Sequence, residues 1–201
     1  MTKSIGIIGS GIMGAGIAQI AAQAGYQITM VDLTEAQLSD AVSRIKTALE
    51  RAVSRGFITD EIMNTALSNI ATSPSLDSVA NCDLIIENIW EELEAKGTLL
   101  KQLEDLVPTT TILASNTSTI PITELGATVQ HPERVVGMHF FNPVDRMQHV
   151  EVIRGARSSD ETLATLVALA RRLGKTPIVV KDCPGFLVNR ILLPYMAAVS
   201  Y

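Results

Sequence analysis

The chain has 201 residues, 47% hydrophobic and 18% charged, enough apolar material for the packed core of one large domain or a domain with an additional piece. Its 16 Lys and Arg against 21 Asp and Glu give a net charge of -5, so no overall basic field attracts nucleic acid or an anionic membrane, and anionic ligands must be held locally. The two cysteines, Cys82 and Cys183, are far apart and form neither a metal-ligand set nor a redox pair, which points to a reducing compartment.

Residues 3–8 have the pattern of a short apolar strand, residues 9–14 are a glycine-rich turn, and residues 12–24 form an alanine-rich helix pattern that Gly25 can end. The N-terminus lacks the apolar segment of a secretory signal, and no later run is long and uncharged enough to span a bilayer, so a cytoplasmic protein is expected. Residues 27–31 complete a βαβ unit that closes at Asp32. In the turn Gly9-Ser10-Gly11-Ile12-Met13-Gly14, backbone N–H groups and the helix dipole can cradle a pyrophosphate. Asp32 can accept hydrogen bonds from a ribose and would repel a 2′-phosphate, favouring NAD over NADP. A plainer reading makes the glycines a tight turn and Asp32 a cap for the helix beginning near Thr34.

Residues 35–55 are amphipathic and carry Arg44, Lys46, Arg51 and Arg55, charges that solvate a face unless a large anionic substrate gives them phosphates to contact. A second helix is predicted over 59–68, a short strand at 70–71 and a loop with a brief helical turn over 74–81. Residues 83–87 read as a buried strand and 91–106 as a helix with Leu93, Leu99, Leu100, Leu103 and Leu106 on its apolar side. Glu87 and Glu91 bracket the carboxyl end of that strand, where doubly wound sheets place ligands. Taken locally, Glu91 and Glu92 are first-turn acids complementing the helix dipole, and Lys96 is a surface lysine.

Residues 110–114 form the next predicted strand, which runs into the polar cluster Ser115-Asn116-Thr117-Ser118; such residues either hold small oxygen groups or merely turn the chain. Strands over 134–140 and 150–153 carry His139 and Glu151. If the two are neighbours, the carboxylate can hold one imidazole nitrogen and leave the other as a base. Otherwise His139 is a core histidine satisfied by a backbone carbonyl, the reading given to His131 and His149. A helix over 159–173, a strand over 176–180, the turn at 182–185 and a helix from Phe186 with Asn189 in its first turns complete the pattern.

The segments GSGIMGAGIA, IIENIWEELEAK, SNTSTIPI, HFFNPVDRMQHVEVI and GKTPIVVKDCPGFLVNRILLPY together resemble the L-3-hydroxyacyl-CoA dehydrogenases over essentially the whole chain. The resemblance implies a Rossmann-type α/β fold: a doubly wound, mostly parallel sheet with flanking helices over residues 1–183. Residues 184–201 would then be the first helix of an all-α domain of which most is absent. It implies His139 as catalytic base and Glu151 as its orienting partner, Ser118 on the substrate oxygen and Asn189 completing the pocket. For NAD it implies Gly9, Gly11, Ile12, Met13, Gly14, Asp32, Glu91, Lys96, Ser118 and Asn142. The family's serine and lysine for the coenzyme A phosphates fall at Ala48 and Arg55. Asp145 and His149 also depart from the family, which usually has proline and an apolar residue there.

The implied activity is NAD-dependent interconversion of (S)-3-hydroxyacyl-CoA, short-chain 3-hydroxybutyryl-CoA foremost, and 3-ketoacyl-CoA in fatty acid metabolism, by a homodimer in the full-length form. Two rival readings are a non-catalytic, crystallin-like or truncated dinucleotide-binding protein, and a Rossmann oxidoreductase for a sugar nucleotide or phosphogluconate.

Overall fold

The structure is a computed structural model that describes residues 2–199; Ser200 and Tyr201, the end of the predicted last helix, lie outside the described residues. Its eight strands are β1 (Ser4–Ile8), β2 (Gln27–Val31), β3 (Ile70–Ser73), β4 (Leu84–Glu87), β5 (Ile112–Ser115), β6 (Val135–Phe140), β7 (His149–Arg154) and β8 (Thr176–Lys181). They form one sheet in the order β3-β2-β1-β4-β5-β6-β7-β8, parallel throughout except for the antiparallel pair β6–β7. The order reverses between β1 and β4, and the crevice outside their carboxyl ends is where such sheets bind ligands.

The helices are α1 (Ile12–Gln23), α2 (Glu35–Ser54), α3 (Asp60–Ser68), α4 (Leu93–Leu106), α5 (Ile122–Gly126), α6 (Asp160–Arg172) and α7 (Val188–Val199). Because the sheet is buried on both faces, its central strands are apolar on both: Ile5, Ile7, Leu84, Ile85 and Ile86 are all buried. One cluster joins α1, α2 and α6 to one face through Ile17, Leu38 and Leu166, and the other joins α4 and α5 through Leu100, Leu103 and Leu125. Helix α2 shows the logic locally. Leu38, Ala41, Ile45 and Leu49 recur at helical spacing and are its buried stripe, and the Thr34 hydroxyl accepts from the Gln37 N–H to cap it.

Several local expectations are corrected. The helix cap of α2 is Thr34, not Asp32, whose carboxylate instead receives Ser10 and Leu33. Helix α4 begins at Leu93, so Glu91 lies ahead of it and is no first-turn acid. The sequence reading left out α5, whose first amides, Ile122 N and Thr123 N, donate to Asp182 at the end of β8. The last helix starts at Val188 rather than Phe186. Neither His131 nor His149 is a core residue: His131 pairs with Glu133 near the surface, and His149 is exposed. Among the described residues no helix is long and apolar enough to cross a membrane.

Candidate active site

Antiparallel pairing of β6 with β7 sets His139 directly opposite Glu151. Cross-strand partners on one face of a sheet have Cβ atoms about 5 Å apart, within reach of a side-chain hydrogen bond. His139 Nδ1 is 2.7 Å from Glu151 Oε2, with His139 5% exposed and Glu151 0%. A carboxylate can only accept, so Nδ1 carries the hydrogen, and in the neutral imidazole Nε2 presents its lone pair. The other carboxylate oxygen, Oε1, accepts from the N–H groups of Leu187 and Val188, each at 2.9 Å, at the start of α7. Burial alone would raise the Glu151 carboxyl, but the hydrogen bonds from His139, Val188 and Leu187 outweigh it and hold the group below the ordinary glutamate range. Asn189, also on α7, donates from Nδ2 to the Ser118 carbonyl at 3.1 Å, so Ser118 and the imidazole are approached from the same helix.

The Ser118 segment is gripped from below by Glu91. Its Oε1 accepts from Ser118 N at 2.8 Å, Thr119 N at 3.0 Å and the Thr117 and Thr119 hydroxyls. These hydrogen bonds and the nearby Lys96 ammonium override partial burial and keep Glu91 acidic. Lys96 is buried next to Glu91 rather than at the surface. It is 1% exposed, with Nζ 2.5 Å from Glu87 Oε1, 3.2 Å from the Ile89 carbonyl and 3.4 Å from Glu91 Oε2. Lys96 is therefore the buried counter-ion beneath the site. Sequence reasoning missed this, although a signal was present: Lys96 precedes Leu99, Leu100 and Leu103 at helical spacing, on the apolar face of α4.

At the β1–α1 turn, Gly9 has φ +91° and a Cβ on Gly14 would come within 1.9 Å of the Gly9 carbonyl oxygen. A Cβ on Gly11 would meet nothing within 4 Å, and Gly11 caps α1 without a side-chain hydrogen bond, so this cap leaves the first amides of α1 without a side-chain partner. Asp32 Oδ2 accepts from Ser10 N and Oγ, both at 2.6 Å, and Arg44 Nη2 donates to the Ser10 carbonyl at 2.7 Å. Arg44 is thus a support of this turn, a role the sequence did not reveal. A cavity of about 570 Å³ beside the turn is lined by Gly9, Asp32, Leu33, Ile89, Ala95 and Leu99 among others. Asn142 lies with Ile12 and Gly16 on a second, smaller cavity, while Arg55 lines a third with Arg51, Phe57 and Arg146.

The description "3-hydroxyacyl-CoA dehydrogenase, NAD binding domain" matches residues 4–183. The chain belongs to the 3-hydroxyacyl-CoA dehydrogenase family. It is 49% identical over 192 residues to the fatty acid oxidation complex subunit alpha of Psychrobacter cryohalolentis, covering 96% of this chain and 27% of that protein. It is 43% identical over 199 residues to the probable 3-hydroxybutyryl-CoA dehydrogenase of Bacillus subtilis, covering 99% and 69%. The crystal structure of (S)-3-hydroxybutyryl-CoA dehydrogenase from Ralstonia eutropha superposes with a TM-score of 0.95 at 42% identity, covering 98% of this chain and 69% of that one. The chain thus spans about a quarter of the fatty acid oxidation alpha subunit and about two thirds of the single-function dehydrogenases.

NAD is the cofactor of this 3-hydroxyacyl-CoA dehydrogenase domain, and the residues present fit it. The turn has glycines where a pyrophosphate must approach, the N-terminus of α1 begins there, and the 570 Å³ cavity beside it offers Ile8, Val31, Leu33, Ile89 and Leu99 to an adenine. Burial opposes ionisation of Asp32, yet hydrogen bonds from Ser10 and Leu33 keep it acidic, so it is anionic at neutral pH. Accordingly Asp32→Ala is expected to weaken NADH binding and narrow the preference over NADPH, measured as the ratio of the two dissociation constants; an unchanged ratio would remove Asp32 as the discriminator.

The acidic groups also set an acid limit for the fold. Glu151 and Glu91 have folded-state pKa values below the ordinary 4.5, so the stability they contribute is present above that value and is lost as pH falls through the lowered folded values. Denaturation midpoints measured in urea should be flat near neutrality and drop below about pH 4.5. Glu151→Gln should flatten that acid limb.

Proposed function

We propose that this chain carries the catalytic half of a dehydrogenase that interconverts (S)-3-hydroxyacyl-CoA and 3-ketoacyl-CoA, with short acyl chains, in fatty acid metabolism. The observation that supports it best is the 2.7 Å His139–Glu151 pair, buried in the same sheet whose first strand leads into the glycine turn. When bound, NAD supplies the acceptor for the C3 hydride at its nicotinamide ring. The protein's own residues manage the proton. His139 Nε2 takes it from the substrate hydroxyl, and Glu151, anionic and fixed by two backbone amides, stabilises the imidazolium that forms. In the reverse direction the imidazolium returns the proton to the ketone oxygen. Ser118, Asn142 and Asn189 orient the reacting groups, with Asn189 held through the Ser118 carbonyl. Glu91 acts by fixing the Ser118 segment, and Lys96 acts through Glu91. Arg55, at the end of α2, faces the coenzyme A phosphates.

The Rossmann-type unit is assigned to residues 1–183, with α7 beginning the second unit; the working form is a homodimer, and the name of the fatty acid oxidation complex relative favours a larger assembly as the alternative. A reducing, NAD-supplied compartment, the cytoplasm, accords with the free thiols Cys82 and Cys183.

The test is NADH oxidation by this chain with acetoacetyl-CoA, run beside an NADH-binding titration. Turnover with the CoA thioester is expected. Binding without turnover would instead favour the non-catalytic dinucleotide-binding reading, and turnover with a sugar nucleotide alone would overturn the substrate class.

A further inference from the structure

Two successive residues just ahead of α7 take left-handed backbone conformations: Gly185 at φ +74° and Phe186 at φ +50°. For glycine this costs little, but a bulky side chain there is a genuine outlier that persists only where its surroundings demand it. The turn is closed by the Phe186 N–H donating to the Cys183 carbonyl at 2.9 Å. Its result is that the next two N–H groups, Leu187 and Val188, converge on Glu151 Oε1. The Phe186 ring is 1% exposed and belongs to the buried cluster containing Ile122, Ile153 and Val180. Its centroid is 5.8 Å from that of the His139 imidazole, which also packs at 4.6 Å against Phe141.

We infer that Phe186 is a positioning residue for the His139–Glu151 pair. Its ring anchors the strained turn, the turn aims two amides at the carboxylate, and the carboxylate orients the imidazole, against which the ring itself packs. A glycine would adopt the same dihedral angles without strain, so it is the ring that justifies the phenylalanine. The inference rests on His139 and Glu151 being the catalytic pair, but its test does not require turnover.

The probe is the His139 Nδ1–H proton resonance of the ligand-free chain, identified by its disappearance in His139→Gln, together with the pH titration of that imidazole. In Phe186→Gly the resonance should broaden through faster solvent exchange and the titration midpoint should move, while NADH affinity is unchanged. Phe186→Leu keeps apolar bulk and should fall between wild type and Phe186→Gly. Turnover with acetoacetyl-CoA should fall about tenfold or more in Phe186→Gly, as expected for a small misalignment of reacting groups. A role in core packing alone would lower thermal stability and leave exchange and titration as in wild type; that result in a folded variant overturns the inference. Should Phe186→Gly not fold, Phe186→Leu decides on the same two readouts. If the wild-type chain shows the resonance but no turnover, the dehydrogenase reading fails and the positioning of the pair is still decided by the spectra.

Discussion

Replacing His139 with glutamine is expected to lower turnover by roughly two to four decades while leaving NADH binding intact, the range lost when a positioned general base is removed. Glutamine can still donate a hydrogen bond to Glu151 Oε2, so the buried carboxylate keeps a partner and the strand pair β6–β7 keeps its packing. What disappears is the second nitrogen. No other group brought to this part of the site can take the proton as an imidazole nitrogen can, since Ser118 and Asn189 are neutral polar groups and Glu151 is held below the ordinary glutamate range. The cofactor turn and Asp32 lie on β1, α1 and β2, remote in the chain from β6, which is why binding should survive. Turnover equal to wild type would take the proton-transfer role from His139.

Lys96→Met should be the most destabilising single change, about 3–5 kcal/mol, because it leaves a buried carboxylate without its cation. The Lys96 and Glu87 side chains are each 1% exposed, and Glu87 sits at the end of β4 with the Ser115 hydroxyl donating to its other oxygen at 2.7 Å. Burial pushes the Glu87 carboxyl up, opposed mainly by Lys96. With Lys96 gone that opposition vanishes and Glu87 would be protonated in the fold. A group whose folded pKa is raised contributes most below its unfolded value and loses that contribution as pH rises, so the variant's deficit should be smallest near pH 4 to 5 and grow toward neutrality, on the order of 1.4 kcal/mol per pH unit once Glu87 ionises only on unfolding. Replacing both partners, Glu87→Leu with Lys96→Met, should recover most of the loss. Urea unfolding followed by circular dichroism measures all three proteins; a single variant as stable as wild type would mean that Glu87 reaches water or another donor. Because Lys96 also lies 3.4 Å from Glu91, the same substitution should loosen the Ser118 segment.

The β1–α1–β2 unit was legible because its signals are local: an apolar strand, glycines at the turn and an acid at the end of the next strand, all within 32 residues. The His139–Glu151 pair was legible only conditionally, since residues 12 apart meet if their strands pair, and only the sheet supplies the antiparallel register. Other features depend on contacts distant in sequence. Glu91 looks like a helix-start acid until Thr117, Ser118 and Thr119 arrive 26 to 28 residues later to use its carboxylate. Helix α5 has five residues, too few to show a period, and its N-terminal amides are satisfied by Asp182, the residue after β8. The two-residue delay of α7 comes from the left-handed Phe186, a conformation that no propensity rule assigns to phenylalanine. Arg44 was read with the solvated face of α2, and its hydrogen bond to the Ser10 carbonyl joins residues 34 apart.

The most direct test of the account is the fate of deuterium from NADH labelled at the nicotinamide C4 when the chain is mixed with acetoacetyl-CoA. Deuterium at C3 of a 3-hydroxybutyryl-CoA product, with the label transfer nearly abolished in His139→Gln, is the predicted result. Bound NADH that transfers no label to the thioester, or transfers it equally well without the imidazole, would contradict it.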